Sequence, residues 1–147
     1  MSQHFRYYLR VRYGECDAQK VVFNARYAEY LDLGCTEFLK ALGFGQAMSF
    51  GAWDYQLVKQ TIEWKGPARN DQALELTVWA AHLGNTSFTI ATEIRIAGED
   101  AVIVTAHTVH VVVDSRSLTK MRLPDELRSA LEKGAPGAVT DHAAFLR

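Results

Sequence analysis

The period of the hydrophobic positions changes along this chain, and each change marks an element. From Phe5 to Tyr13 apolar and polar residues alternate, with aromatic and β-branched side chains frequent, which predicts a strand. A short polar stretch follows. Then Tyr27, Leu31, Gly34, Cys35, Phe38 and Leu42 fall at helical offsets and form one apolar stripe. Gly43 is the expected stop of that helix and Gly45 reinforces it. Gly34 inside the stripe costs about 1 kcal/mol of helix propensity, and it lets the helix approach a sheet closely.

After a glycine-punctuated connection, the period returns to two in four runs. Tyr55 to Trp64 is the first, closed by a turn at Pro67 to Asp71. Ala73 to Leu83 places Leu74, Leu76, Val78 and Ala80 on one face, and Gly84-Asn85-Thr86 forms a turn. Phe88, Ile90, Thr92, Ile94 and Ile96 share the next inner face, with Glu93 and Arg95 outward. After a hairpin turn at Gly98-Glu99-Asp100, Ala101 to Val113 is apolar on both faces near its end, the mark of a central strand or a subunit contact. Pro124 opens a short helix, and the tail from about 134 is expected to be loosely ordered. One domain over 1–147 follows, of the α+β class: a long central helix against an antiparallel sheet of about five strands.

Composition narrows the function. A chain of 147 residues, 48% apolar and 22% charged, sustains a core without disulfide staples. A net charge of −1 with scattered Lys and Arg argues against nucleic acid as a partner. The N-terminus lacks the apolar core of a secretory signal, and no apolar run approaches a membrane span. Cys16 and Cys35 make no disulfide framework, so a reducing cytoplasm is the expected location.

The stretch from Gly14 to Tyr27 carries the candidate chemistry. It places Asp17 in a loop just before a helix N-terminus, where unpaired N–H groups and partial positive charge collect. A carboxylate beside such donors supplies a base or nucleophile next to an oxyanion site. Glu15 reads as a surface carboxylate, and Asn24 as a helix cap or a substrate-orienting residue. Cys16 has no histidine near it in sequence. His107 and His110, three apart on one strand, face opposite sides, and no metal site is expected.

This order of elements and the opening motif resemble the hotdog-fold acyl-CoA thioesterases of the 4-hydroxybenzoyl-CoA thioesterase type. Glu15-Cys16-Asp17 occupies the family's acid-x-Asp element, Val21-Val22-Phe23 its hydrophobic element and Tyr27 its tyrosine. Glu63-Trp64-Lys65-Gly66-Pro67-Ala68-Arg69-Asn70-Asp71 is similar to the stretch between the family's second and third strands, and Gly84-Asn85-Thr86-Ser87 to the turn before its fourth. Two positions depart: Lys20 stands where the family has glycine, and Asn24 where some members have histidine.

The resemblance implies hydrolysis of an acyl thioester to free acid and thiol. Asp17 would be nucleophile or general base, and the backbone N–H near Asn24 would polarise the carbonyl. Phe23 and Tyr27 would pack the core or line the acyl pocket. Ser87 would contact substrate from a partner subunit, and Lys65 and Arg69 would hold coenzyme A phosphates. It also implies a homodimer or homotetramer, no cofactor beyond the coenzyme A of the substrate, and acyl-CoA or an acyl carrier protein as thioester donor. The alternatives are a hotdog acyl hydratase or dehydratase, and a non-catalytic acyl-thioester-binding protein.

Overall fold

The computed structural model describes residues 3–45 and 51–146. Its elements are β1 (Phe5–Arg10), a 3-10 turn (Tyr13–Glu15), α1 (Arg26–Ala41), β2 (Trp53–Trp64), β3 (Ala73–Leu83), β4 (Ser87–Ile96), β5 (Val102–Asp114), α2 (Asp125–Lys133) and β6 (Val139–Asp141). Part of the glycine-punctuated connection after α1 lies outside the described residues.

The strands form one sheet in the order β2-β5-β4-β3-β1-β6. All pairings are antiparallel except β1 with β6. The helix α1 buries Tyr27, Tyr30, Leu31, Gly34, Cys35, Phe38 and Leu39. The stripe is therefore wider than the one-face spacing predicted, and includes Tyr30 and Leu39. It packs on the face carrying Leu74, Leu76 and Val78 of β3 and Phe88, Ile90 and Ile94 of β4, all fully buried. Gly34 sits where a Cβ would come within 2.9 Å of Leu76 Cδ2. Helix and sheet touch closely at this residue, as its place in the stripe suggested.

β5 lies inside the sheet between β2 and β4, which accounts for its apolar run. One face, from Val104 through Ala106, Thr108 and His110 to Val112, is buried, while His107 on the other is exposed. Leu127 and Leu131 of α2 join the same core.

Two expectations need correction. The first strand ends at Arg10 and not at Tyr13, because the chain tightens into the 3-10 turn. The tail is not loose. Val139–Asp141 adds a sixth strand beside β1, Arg10 donates from Nε and Nη2 to the Ala143 carbonyl at 3.2 and 2.9 Å, and Phe145 stacks on Tyr8 at 5.5 Å. Among the described residues, no helix is long and apolar enough to cross a membrane.

Candidate active site

Two loops and one helix end build the site. After the 3-10 turn the chain doubles back, with Cys16 bridging Val22 and Val21 bridging Arg69. At the tip, Asp17 N–H donates to Val21 O and Lys20 N–H donates to Asp17 O, both at 2.9 Å. Val22 N–H reaches Ala68 O at 2.8 Å, which docks this loop on the one that follows β2. Lys20 closes the tip with φ 66, in the left-handed region. A side chain pays about 1–2 kcal/mol there that glycine does not. The glycine of the related pattern is thus explained, and Lys20 keeps the same backbone shape at a cost.

The Asp17 carboxylate is half-buried. Its Oδ1 accepts from Gln19 N–H at 2.8 Å, and Oδ2 has no partner among the described residues. One oxygen is positioned and the other is free to act on a ligand. Asp17 shares a cleft of about 450 Å³ with Phe23, Asn24, Tyr27, Trp64 and Pro67.

Asn24 does not cap the helix with its side chain. The cap position is Ala25, without a side-chain bond, and the Asn24 carbonyl accepts from Tyr27 N–H at 3.3 Å. Arg26 N–H is taken by Phe23 O at 2.9 Å, whereas the N–H groups of Asn24 and Ala25 have no partner among the described residues. Free donors at a helix start, beside a carboxylate, are what an oxyanion site requires. Tyr27 is buried at the back of the cleft, where burial pushes its hydroxyl pKa up, and Phe23 stands exposed at the mouth.

Glu15 corrects the surface reading. It is only 8% exposed and does not pair with Asp17. Its Oε1 accepts from Arg12 N–H and from the Tyr30 hydroxyl, both at 2.8 Å, while Oε2 takes the Arg12 guanidinium at 3.0 and 3.1 Å. Burial alone would raise its pKa; these four donated bonds more than offset that, and the carboxyl lies below its ordinary value. Glu15 therefore ties the 3-10 turn to α1 and so holds the Asp17 loop against the helix.

Lys65 and Arg69 are exposed on the loop that carries Gly66 and Pro67, next to residues that line the cleft but not themselves part of its lining. Ser87 is not brought to it within one chain. Trp64 pairs through Val104 with Ile94, whereas Ser87 opens β4 seven residues away, about 23 Å along the strand. Trp64 is the residue that sequence reading missed: half exposed, it forms a wall of the cleft. Its position as the last alternating residue before Gly66-Pro67 was the available signal.

This fold and this loop place the chain in the thioesterase-like superfamily, whose profile matches residues 11–131. A curated relative, the acyl-CoA thioester hydrolase YbgC of Escherichia coli, is 29% identical over 124 residues, covering 84% of this chain and 92% of the relative. The 1,4-dihydroxy-2-naphthoyl-CoA hydrolase of Synechococcus elongatus is 25% identical over 125 residues, covering 83% and 90%. The crystal structure of PA5185 from Pseudomonas aeruginosa superposes with a TM-score of 0.83 at 25% identity, over 93% of this chain and 94% of that one. The architecture is the hotdog fold, one long helix wrapped by a curved sheet.

Proposed function

We propose that the protein is an acyl-CoA thioesterase, converting an acyl thioester and water to the carboxylic acid and the free thiol. The observation that carries this reading is the half-buried Asp17 carboxylate, with Oδ2 free, in one cleft with the unpaired N–H groups that open α1. Asp17 attacks the thioester carbonyl or takes a proton from the attacking water. The Asn24 and Ala25 N–H groups stabilise the oxyanion, where one donor is typically worth about 2.7–4 kcal/mol in the transition state. A thiolate leaves readily, so the mechanism needs no strong general acid.

Lys65 and Arg69 beside the cleft suit the phosphates of coenzyme A, and Phe23 and Trp64 offer apolar walls to its pantetheine arm. One named relative is an acyl-CoA thioester hydrolase, with no acyl group specified, and the other a 1,4-dihydroxy-2-naphthoyl-CoA hydrolase, so the acyl group must be read from this chain's own side chains. No histidine lines the cleft among the described residues, which leaves a hydratase or dehydratase without the Asp–His pair such chemistry commonly uses. Pairing of a second copy along the open edge of β2 completes the assembly we propose, a homodimer or a multiple of it.

The test is thiol release from a panel of aliphatic and aromatic acyl-CoAs, run beside Asp17→Asn. Removal of the base is expected to lower kcat by about 10²–10⁴-fold with the fold intact. An unchanged rate in a folded variant would withdraw Asp17 from the mechanism.

A further inference from the structure

The Asp17 loop rests on the loop that follows β2: Val22 N–H donates to Ala68 O at 2.8 Å, and Val21 bridges Arg69. That supporting loop is pinned in turn. Arg69 N–H donates to Gln72 Oε1 at 2.7 Å, while Val11 N–H donates to Gln72 O and Asp71 N–H to Val11 O, both at 2.9 Å. Asp71 has φ 69, in the left-handed region that a side chain enters at a cost. Such a conformation persists only where its surroundings hold it.

Arg10, the last residue of β1, completes the hold. Its Nη1 donates to the Asp71 carbonyl at 2.6 Å and lies 3.9 Å from the Asp71 carboxylate. Its Nε and Nη2 donate to the Ala143 carbonyl at 3.2 and 2.9 Å. One guanidinium thus joins the loop after β2 to the segment after β6. That segment makes a strained turn of its own, with Ala144 at φ 56. Asp141 closes the turn: its Oδ1 accepts from Ala143 N–H at 2.9 Å and its Oδ2 from Leu146 N–H at 2.8 Å. A fork of donors shared between two carbonyls is a geometry that an ammonium group does not reproduce.

We propose that Arg10 is a positioning residue for the reaction: braced by the Ala143 carbonyl, it sets loop 68–72 and, through it, the place of the Asp17 carboxylate. The inference rests on the thioesterase reading and gives the segment after β6 a part in it. The profile of the superfamily spans 11–131, so Arg10, Asp141 and Ala143 lie outside the shared pattern. None of the three lines the Asp17 cleft, so the effect passes through backbone positions and not through contact with substrate. The Arg10 side chain is 40% exposed, where solvent screens its charge. Its contribution therefore lies in where its donors point, and variants at this position should fold.

The test uses Arg10→Met, which removes the donors and keeps bulk, and Asp141→Ala, which releases the turn presenting the Ala143 carbonyl. Each is made singly and both together. One readout is kcat on the acyl-CoA that the wild type hydrolyses best. The other is amide hydrogen exchange at Val22, which reports the contact with Ala68 whether or not turnover occurs. Displacements of about 1 Å can slow a reaction by up to about 100-fold, and each single variant should lower kcat about tenfold. Val22 exchange should quicken about tenfold, with Leu76 and Ile90 in the sheet core unchanged. The double variant should be no worse than the more severe single, because both break one connection.

Wild-type kcat in Arg10→Met overturns the proposal, as does a fall in kcat with Val22 exchange unchanged. Two further results overturn it: losses that multiply in the double variant, and quickened exchange that Leu76 and Ile90 share equally. Local quickening at Val22 in a protein that hydrolyses no thioester would keep Arg10 as the brace of the loop and remove the thioesterase reading beneath it.

Discussion

A single buried imidazole gives this protein a measurable pH signature. His110 is neutral in the fold, with its pKa lowered from 6.5 to about 4 because burial penalises the charged ring. Between those values the unfolded chain binds the extra proton and the folded chain does not, so stability rises with pH across that window and is level above it. The drop from pH 6.5 to 4 amounts to about 3 kcal/mol from this group. Glu15, whose pKa is also lowered, adds a loss of the same sign, but only as pH falls below its ordinary value near 4.5. Urea denaturation at pH 7, 6 and 5 separates the two: the decline above pH 5 should be largely absent in His110→Phe. An identical decline in that variant would place its source elsewhere. At this scale sequence gave types and not surroundings. The place of Asp17 in a loop before a helix start was legible, because the strand and helix patterns on either side flank it. Glu15 was misread, since its burial depends on Tyr30 arriving from the helix fifteen residues later.

Among the elements, α1 depends most on one residue with no side chain. A Cβ at Gly34 would stand 2.9 Å from Leu76 Cδ2 and 3.5 Å from Val78 Cγ2, and both neighbours are fully buried. Gly34→Ala sets a gain of about 1 kcal/mol in helix propensity against a contact that Leu76 relieves by turning. Gly34→Val has no such relief, and its extra methyl groups should cost about 3 kcal/mol in overpacking. Thermal unfolding should show Gly34→Val melting several degrees below wild type with Gly34→Ala close to it; equal melting points would mean the helix can lift from the sheet freely. The periodicity that exposed Gly34 also located β2 to β5 within a few residues, since half-buried strands must alternate. It could not find β6: Val139-Thr140-Asp141 is too short to show a period, and its partner β1 lies more than 130 residues earlier. The Asn24 cap failed for a related reason. The chain enters α1 through a turn at Phe23–Arg26, and that turn satisfies one helix donor by backbone alone.

The whole molecule leaves its two sheet edges in different states. On one side β6 and the tail cover β1, held by Ala143 and Phe145. On the other, β2 runs twelve residues with only β5 beside it, and no described residue pairs with its outer edge. Leu57 and Val58 on this strand are 53% and 58% exposed, next to an irregularity in its register with β5. A long open edge with apolar side chains is a template for strand addition, and proteins ordinarily blunt or pair such edges. A second copy laid antiparallel, β2 against β2, satisfies both edges by one twofold axis and makes a continuous sheet. Sedimentation of the wild type should therefore give a dimer or a multiple of it. Leu57→Glu with Val58→Lys should give monomers, because charge replaces apolar contact on both sides of the axis. Acyl-CoA turnover should fall with the dimer fraction across a dilution series. A wild-type protein that sediments as a single chain while hydrolysing thioesters at full rate would remove the second copy from the site.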